Sequence, residues 1–337
     1  VGINALGSVV HGDMNGVQIT GLANLAGGTM RGVQLAGISN ISGDNTVGLS
    51  AAGLVNITGD RAQGVVISGL TSIGGDNNSG LMISGFMNVT GNMASGLHFS
   101  GVANITGQSF GGLMASGLLN VIGEHMNGLQ IAGIANITAS KLNGVQVALC
   151  NYATKARGLQ IGLVNYYKED MKGFQLGLVN ANPDTKVQMM VYGGNATPAN
   201  IGVRFKNQLF YTILGVGSMY QGLNDKFSAS ASYRAGLSFP LYKGLSISGD
   251  LGYQHIEAFD NKDEVIPKRL YALQARANLE YQFTKKFGIF ATGGYGVTRF
   301  YNKSSNYDKG AIIEAGVVLF STYSPPRTQR TQSFFCK

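Results

Sequence analysis

Glycine recurs at positions 16, 32, 48, 64, 80, 96, 112, 128 and 144, a period of sixteen residues kept without a slip. A second glycine holds the same beat at 21, 37, 53, 69, 85, 101, 117 and 133. Asparagine falls at Asn24, Asn40, Asn56, Asn88, Asn104, Asn120 and Asn136, with Ser72 standing in once. Two looser copies follow, GLQIGLVNYYKEDMK and GFQLGLVNANPDTK, each one residue shorter between its paired apolar segments. The chain opens mid-repeat, with Val1, Ile3 and Leu6 in phase with Val17, Ile19 and Leu22. A short fixed period over about 180 residues means stacked units, none of which buries its own apolar face alone.

Sixteen residues are too few for a helix pair, and the apolar positions alternate as in a strand. On that reading Val17 and Ile19 point inward, Gln18 and Thr20 point out, and the following glycine turns a corner. The expected object is a β-solenoid over residues 1–185, one parallel coil per repeat. Eleven or so coils at roughly 4.8 Å each give a rod about 50 Å long.

Three columns of this rod invite a functional reading. The asparagines include formal glycosylation sequons, as at Asn40 and Asn104, but in-register amides are expected to form a ladder at a coil corner, each donating to one neighbour and accepting from the other. Asp44, Asp60 and Asp76 share one column. A bound cation is the functional reading there, and a solvated turn eased by Arg61 is the expected one. The glutamines Gln18, Gln34, Gln130, Gln146, Gln160 and Gln175 are expected to form an outward polar ladder, either simply solvated or available for binding a partner.

Composition narrows the function. Residues 1–157 hold five cations and five anions, so the net charge of +8 arises wholly from the remainder. Those later cations are scattered in strands and turns, unlike a nucleic-acid footprint, and no nucleic-acid partner is expected. Cys150 and Cys336 lack metal-ligand spacing and read as unrelated thiols. No apolar run is long enough for a transmembrane helix. The opening residues show no signal-peptide regions, so any such segment is expected to be removed or upstream.

From about residue 186 the beat stops and long alternating strands begin. LYALQARANLEYQF (270–283) places Tyr271, Leu273, Ala275, Ala277, Leu279, Tyr281 and Phe283 on one face, against Gln274, Arg276, Asn278, Glu280 and Gln282 on the other. FSASASYRAGLSF (227–239) and FGIFATGGYGV repeat the pattern. Runs of this length with aromatic residues near their ends predict a transmembrane β-barrel, apolar outward and polar inward. Eight strands are predicted, at 187–195, 199–206, 208–220, 227–239, 245–259, 269–283, 287–301 and 310–320. The barrel domain spans 186–322, and a polar tail occupies 323–337. Eight strands enclose a lumen only wide enough for side chains, so Arg234, Asp250, Arg276, Glu280 and Glu314 are expected to face it and to pair. Short linkers (KNQ, YKG, TKK) against longer ones (QGLNDK, DNKDEVIPK, NKSSNYDK) put the solenoid on the periplasmic side.

The repeat start G-[VL]-Q-[VIL] followed by G-[LIV]-x-N, as in GLQIAGIAN and GLQIGLVN, resembles the glycine-rich surface-repeat proteins of Gram-negative bacteria. The resemblance covers about 180 residues and implies an outer-membrane or envelope protein, with the cell surface as the alternative side for the solenoid. It implies no catalytic motif. Nucleophile, P-loop and metal signatures are missing from the sequence, so no enzyme, cofactor or metal is expected. The combined expectation is an all-β, non-catalytic outer-membrane protein whose barrel anchors a solenoid that binds an envelope protein or glycan. Two alternatives differ in class: an accessory subunit of a larger outer-membrane complex, and a lipid A-modifying barrel enzyme using His255 and Glu257, which share a strand face.

Overall fold

The computed structural model describes residues 1–207, 209–218, 227–259, 269–284, 286–302 and 305–320. Every regular element among them is a β-strand. The chain divides into two compact units, Val1–Gly177 and Leu178–Lys337. The division falls some residues before the expected 185/186. The short strand Val179–Ala181 is held by barrel groups: Asn207 Nδ2 donates to Asn180 O at 2.6 Å, and Thr212 Oγ1 donates to Leu178 O at 3.0 Å.

The first unit is the β-solenoid. Met14–Thr20 pairs in parallel with Met30–Ala36, Gly16 opposite Gly32, and Ala23–Ala26 pairs with Ser39–Ser42, Asn24 opposite Asn40. The same register repeats coil after coil. Where the sixteen-residue period breaks, just ahead of the two looser copies, the register shifts between Thr138 and Lys141 and again between Ala153 and Lys155, and the stack then resumes. Each coil has three extended sides. One corner is the first glycine of the repeat, whose left-handed backbone (Gly112, φ 127°) suits only a residue without Cβ. A Cβ there would also strike the carbonyl of Gly96 in the previous coil.

The alternation is as the sequence implies, but its phase is opposite. Gln18, Thr20, Asn24, Ala26 and Met30 point into the coil and are buried, while Val17, Ile19, Leu22 and Leu25 lie outside. Strand side chains have period two, so a shift of one residue exchanges the faces completely. The inside accepts amides because stacked identical amides satisfy one another along the axis. Apolar filling comes from the column of Met14 and Met30, which continues through Phe110, Met126 and Leu142.

The second unit is a closed antiparallel barrel of eight strands: Lys186–Gly194, Ala199–Asn207, Phe210–Ser218, Ser228–Tyr242, Leu245–Ala258, Arg269–Gln282, Phe287–Phe300 and Asn306–Phe320. It closes by pairing the first strand with the last, Met190 opposite Val318. Because the count is even, the first strand begins and the last ends at one barrel end. The tight connections 208–209, 243–244 and 283–286 belong to that same end.

Candidate functional site

The barrel interior is an ion-pair layer. Alternate residues of each strand face it, which buries Arg234, Asp250, Arg276, Glu280 and Glu314. Arg234 grips Asp250 with two bonds, Nε to Oδ1 at 2.7 Å and Nη2 to Oδ2 at 2.8 Å. The Tyr211 hydroxyl and the Asn278 amide both donate to the same carboxylate at 2.8 Å. Arg276 reaches Glu314 with Nε at 3.1 Å and Nη2 at 3.2 Å, and Arg234 Nη1 lies 3.7 Å from that carboxylate. A third arginine, Arg204, completes the layer. It pairs with Glu280 at 2.7 and 3.0 Å and donates to Gln188 Oε1 at 2.6 Å.

Arg204 is not among the lumen charges expected from the sequence, although NIGVRFK alternates Asn200, Gly202 and Arg204 against Ile201, Val203 and Phe205. Among the described residues, three arginines and three carboxylates thus form this layer as bidentate, hydrogen-bonded pairs, the arrangement in which buried charge is tolerable. The layer separates two vestibules. One, of about 830 Å³, opens at the short-turn end among Lys186, Lys206 and Lys243. The other, of about 420 Å³, lies beside Asn195, Gln274 and Asp308.

The barrel's outer wall is apolar, with Met189, Ile201, Val216, Leu251, Leu273, Leu279 and Ile313 all exposed. His255 and Glu257 are on this outer wall, Nε2 to Oε2 at 3.9 Å, with His255 Nδ1 2.7 Å from the Tyr301 hydroxyl and Arg269 on Glu257 at 3.3 Å. The residues directly across from His255 are Ala231 and Tyr271, so its register neighbours offer no serine nucleophile.

In the solenoid the asparagine column is a continuous internal ladder. Asn104 Nδ2 donates to Asn120 Oδ1 at 3.0 Å and to Ala115 O at 2.8 Å, and Asn120 repeats this toward Asn136 and Ile131. Asn24 to Asn40, Asn40 to Asn56 and Asn88 to Asn104 follow the same rule. The ladder occupies the middle of a side, not a corner, and being buried it offers no sequon to a modifying enzyme. At Ser72, hydroxyls of Ser68 and Ser84 bridge the gap between Asn56 and Asn88. Asn151 and Asn165 extend the ladder beyond the strict period, where shortened repeats hid them from a sixteen-residue count.

The glutamine column, expected outward, is internal. Gln34 donates to Gln18 at 3.0 Å, while Gln146, Gln160 and Gln175 each donate to the preceding glutamine at 2.8 Å, ending on Gln130. All six are buried, so they stabilise the coil stack and present nothing to a partner. Between the two glutamine runs the column holds Ser50, Val66, Met82, His98 and Met114, also buried. Burial lowers the His98 pKa from 6.5 to about 4, and its Nε2 has no hydrogen-bond partner.

Asp44, Asp60 and Asp76 stack with backbone hydrogen bonds between successive coils, and Asn77 Nδ2 donates to Asp76 at 2.7 Å. Among the described residues no group of three or more His, Cys, Asp or Glu is placed to hold a metal. The tail 323–337 and the linkers QGLNDK and DNKDEVIPK lie outside the described residues.

No protein-family model matches the chain, and no curated protein matches it at a significant level. Among solved structures, the crystal structure of Neisserial surface protein A is similar to 40% of this chain, covering 93% of that chain at 9% sequence identity and a TM-score of 0.26. At that score the strand pairings above, not this likeness, define the barrel.

Proposed function

We propose that this is a non-catalytic outer-membrane protein of the glycine-rich surface-repeat kind. Its barrel is the lipid-embedded anchor, and its solenoid serves an envelope partner from the periplasmic side. The observation that carries the reading is the partition of the barrel. Charge is confined to a self-neutralised layer inside, and the outer wall is an exposed apolar band, which in water would be an aggregation surface and in a bilayer is the lipid contact. An eight-stranded lumen crossed by three ion pairs supports an anchor over a conducting pore.

What supports the periplasmic side is that the short turns share an end with the start of the first barrel strand. The partner surface shifts from the expected glutamine ladder to the outward polar residues of the coil, such as Gln63 and Asn127. The test is fractionation and proteolysis in a Gram-negative host. The barrel should fractionate with the outer membrane, and the repeats should resist protease on intact cells yet be cleaved after outer-membrane permeabilisation. Cleavage of the repeats on intact cells would move them to the surface, and recovery in the soluble fraction would end the anchor reading.

A further inference from the structure

The solenoid distributes its surface in an unusual way. Every Asp, Glu, Lys and Arg between residues 1 and 177 falls on one of the three sides, the one typified by residues 28–31, or on its bordering corner. The other two sides carry none. The column from Val17 to Phe174 holds only Val, Leu and Phe. The column from Leu22 to Leu163, at the corner joining these two sides, holds only Leu, Ile, Val and Phe.

These side chains are not core. At the corner Leu54, Leu70, Phe86, Leu118, Ile134 and Leu149 are 42–50% exposed although each is flanked by its neighbours in the stack. Two sides of a rod about 50 Å long, each roughly 13 Å wide, present on the order of 1,000 Å² of apolar surface, well above the largest patch of an ordinary soluble monomer.

We infer that these two sides are a lipid-contacting wedge: the solenoid lies along a bilayer with its Leu22–Leu163 corner in the acyl layer and its charged side toward water. Three observations favour lipid over a protein partner. Segregating all charge to one side is the signature of an interfacial element, here a three-sided rod in place of a helix. The backbone at this corner is paired coil to coil, as hydrocarbon requires: Gly69 N donates to Ala52 O at 3.1 Å and Leu70 N to Leu54 O at 2.9 Å. The apolar columns also repeat with each coil, without a charge to fix the register of a docked protein, whereas a protein interface carries a polar rim and specific hydrogen bonds.

A wedge about 12 Å deep fits within one leaflet of a hydrocarbon core about 30 Å thick. The barrel wall of the same chain is apolar in the same manner. The inference deepens the membrane reading of the barrel without depending on where the solenoid sits around it.

The test uses the full chain reconstituted into phosphatidylcholine vesicles, with Cys150→Ser and Cys336→Ser as background. Single cysteines carrying an environment-sensitive fluorophore are placed at Leu118 and Ile134 on the wedge, at Gln63 and Asn127 on the charged side, and at Leu251 on the barrel wall. Brominated lipids are expected to quench the two wedge sites at least about threefold more than the charged-side sites, with aqueous iodide showing the reverse order. Equal iodide quenching at Leu118 and Gln63 would overturn the wedge. So would shielding of Leu118 from both quenchers with cross-linking between copies or to another protein. Leu251 separates the two claims: if brominated lipid fails to quench it, the barrel reading falls whatever the wedge sites show.

Discussion

The coils and the barrel both hide polar side chains and show apolar ones, yet they satisfy the hidden groups by different chemistry. In the coils the interior is translationally repetitive, so a residue meets a copy of itself one coil away. An amide is both donor and acceptor, and Asn104 can therefore pair with Asn88 on one side and Asn120 on the other. A charged column could not, because like charges would be stacked roughly 5 Å apart. The barrel interior has no such repeat. Its facing residues come from distant strands, and complementary partners such as Arg204 with Glu280 are built from positions 76 residues apart.

That contrast can be broken first where the coils depend on backbone contact. Gly112→Val adds a Cβ against the Gly96 carbonyl and a β-branched residue at positive φ. We expect a cost above about 4 kcal/mol, in the exceptional range for one substitution. Limited proteolysis should show the repeats opened while the barrel stays resistant. The barrel is tested next by Arg234→Met, which strands Asp250 in the lumen and should cost about 3–5 kcal/mol, read as a lower urea midpoint. Adding Asp250→Leu should recover much of that loss, because an apolar pair replaces an orphaned charge.

Asn104→Leu interrupts the ladder and removes the partner that Asn88 Nδ2 donates to and that Asn120 Oδ1 accepts from, for an expected loss of about 1–3 kcal/mol in the repeats alone. The smallest effect is pH-dependent. The folded pKa of His98 lies below its ordinary value, so the stability it permits is intact above pH 6.5 and falls as pH drops toward 4. The repeats should lose about 2 kcal/mol between pH 7.5 and pH 5 through this group. His98→Met, which matches Met82 and Met114 in its column, should remove that part of the acid sensitivity.

Period and alternation were legible where the chemistry is repetitive. Gly16 to Gly144 and Asn24 to Asn136 mark the coils because each coil must reproduce the same corner and the same amide. The barrel strands were legible from FSASASYRAGLSF and LYALQARANLEYQF, where a lumen side and an outer side alternate over many residues. The phase of the coils is opposite to the one expected from the sequence. The usual preference for burying aliphatic side chains places Val17 and Ile19 inside, but a coil that repeats every sixteen residues fills that position with amides that pair with their own copies. The contrary signal was in the columns themselves, since Gln18 and Gln34 repeat as identical neutral amides while charges keep to residues such as Arg31 and Asp44. Arg204 was missed for a simpler reason: its strand is short, and its alternation spans few residues.

The claim on which both units converge is that polar side chains face in and aliphatic ones face out, and in the coils this means amide columns inside. It is tested most directly by thiol accessibility at two adjacent residues of one coil, Gln130 and Ile131, each replaced singly by cysteine in the detergent-folded protein lacking Cys150 and Cys336. N-ethylmaleimide should modify the cysteine at 131 readily and leave the one at 130 unmodified until the repeats are unfolded in denaturant. Rapid modification at 130 with protection at 131 would restore the opposite phase and contradict the account.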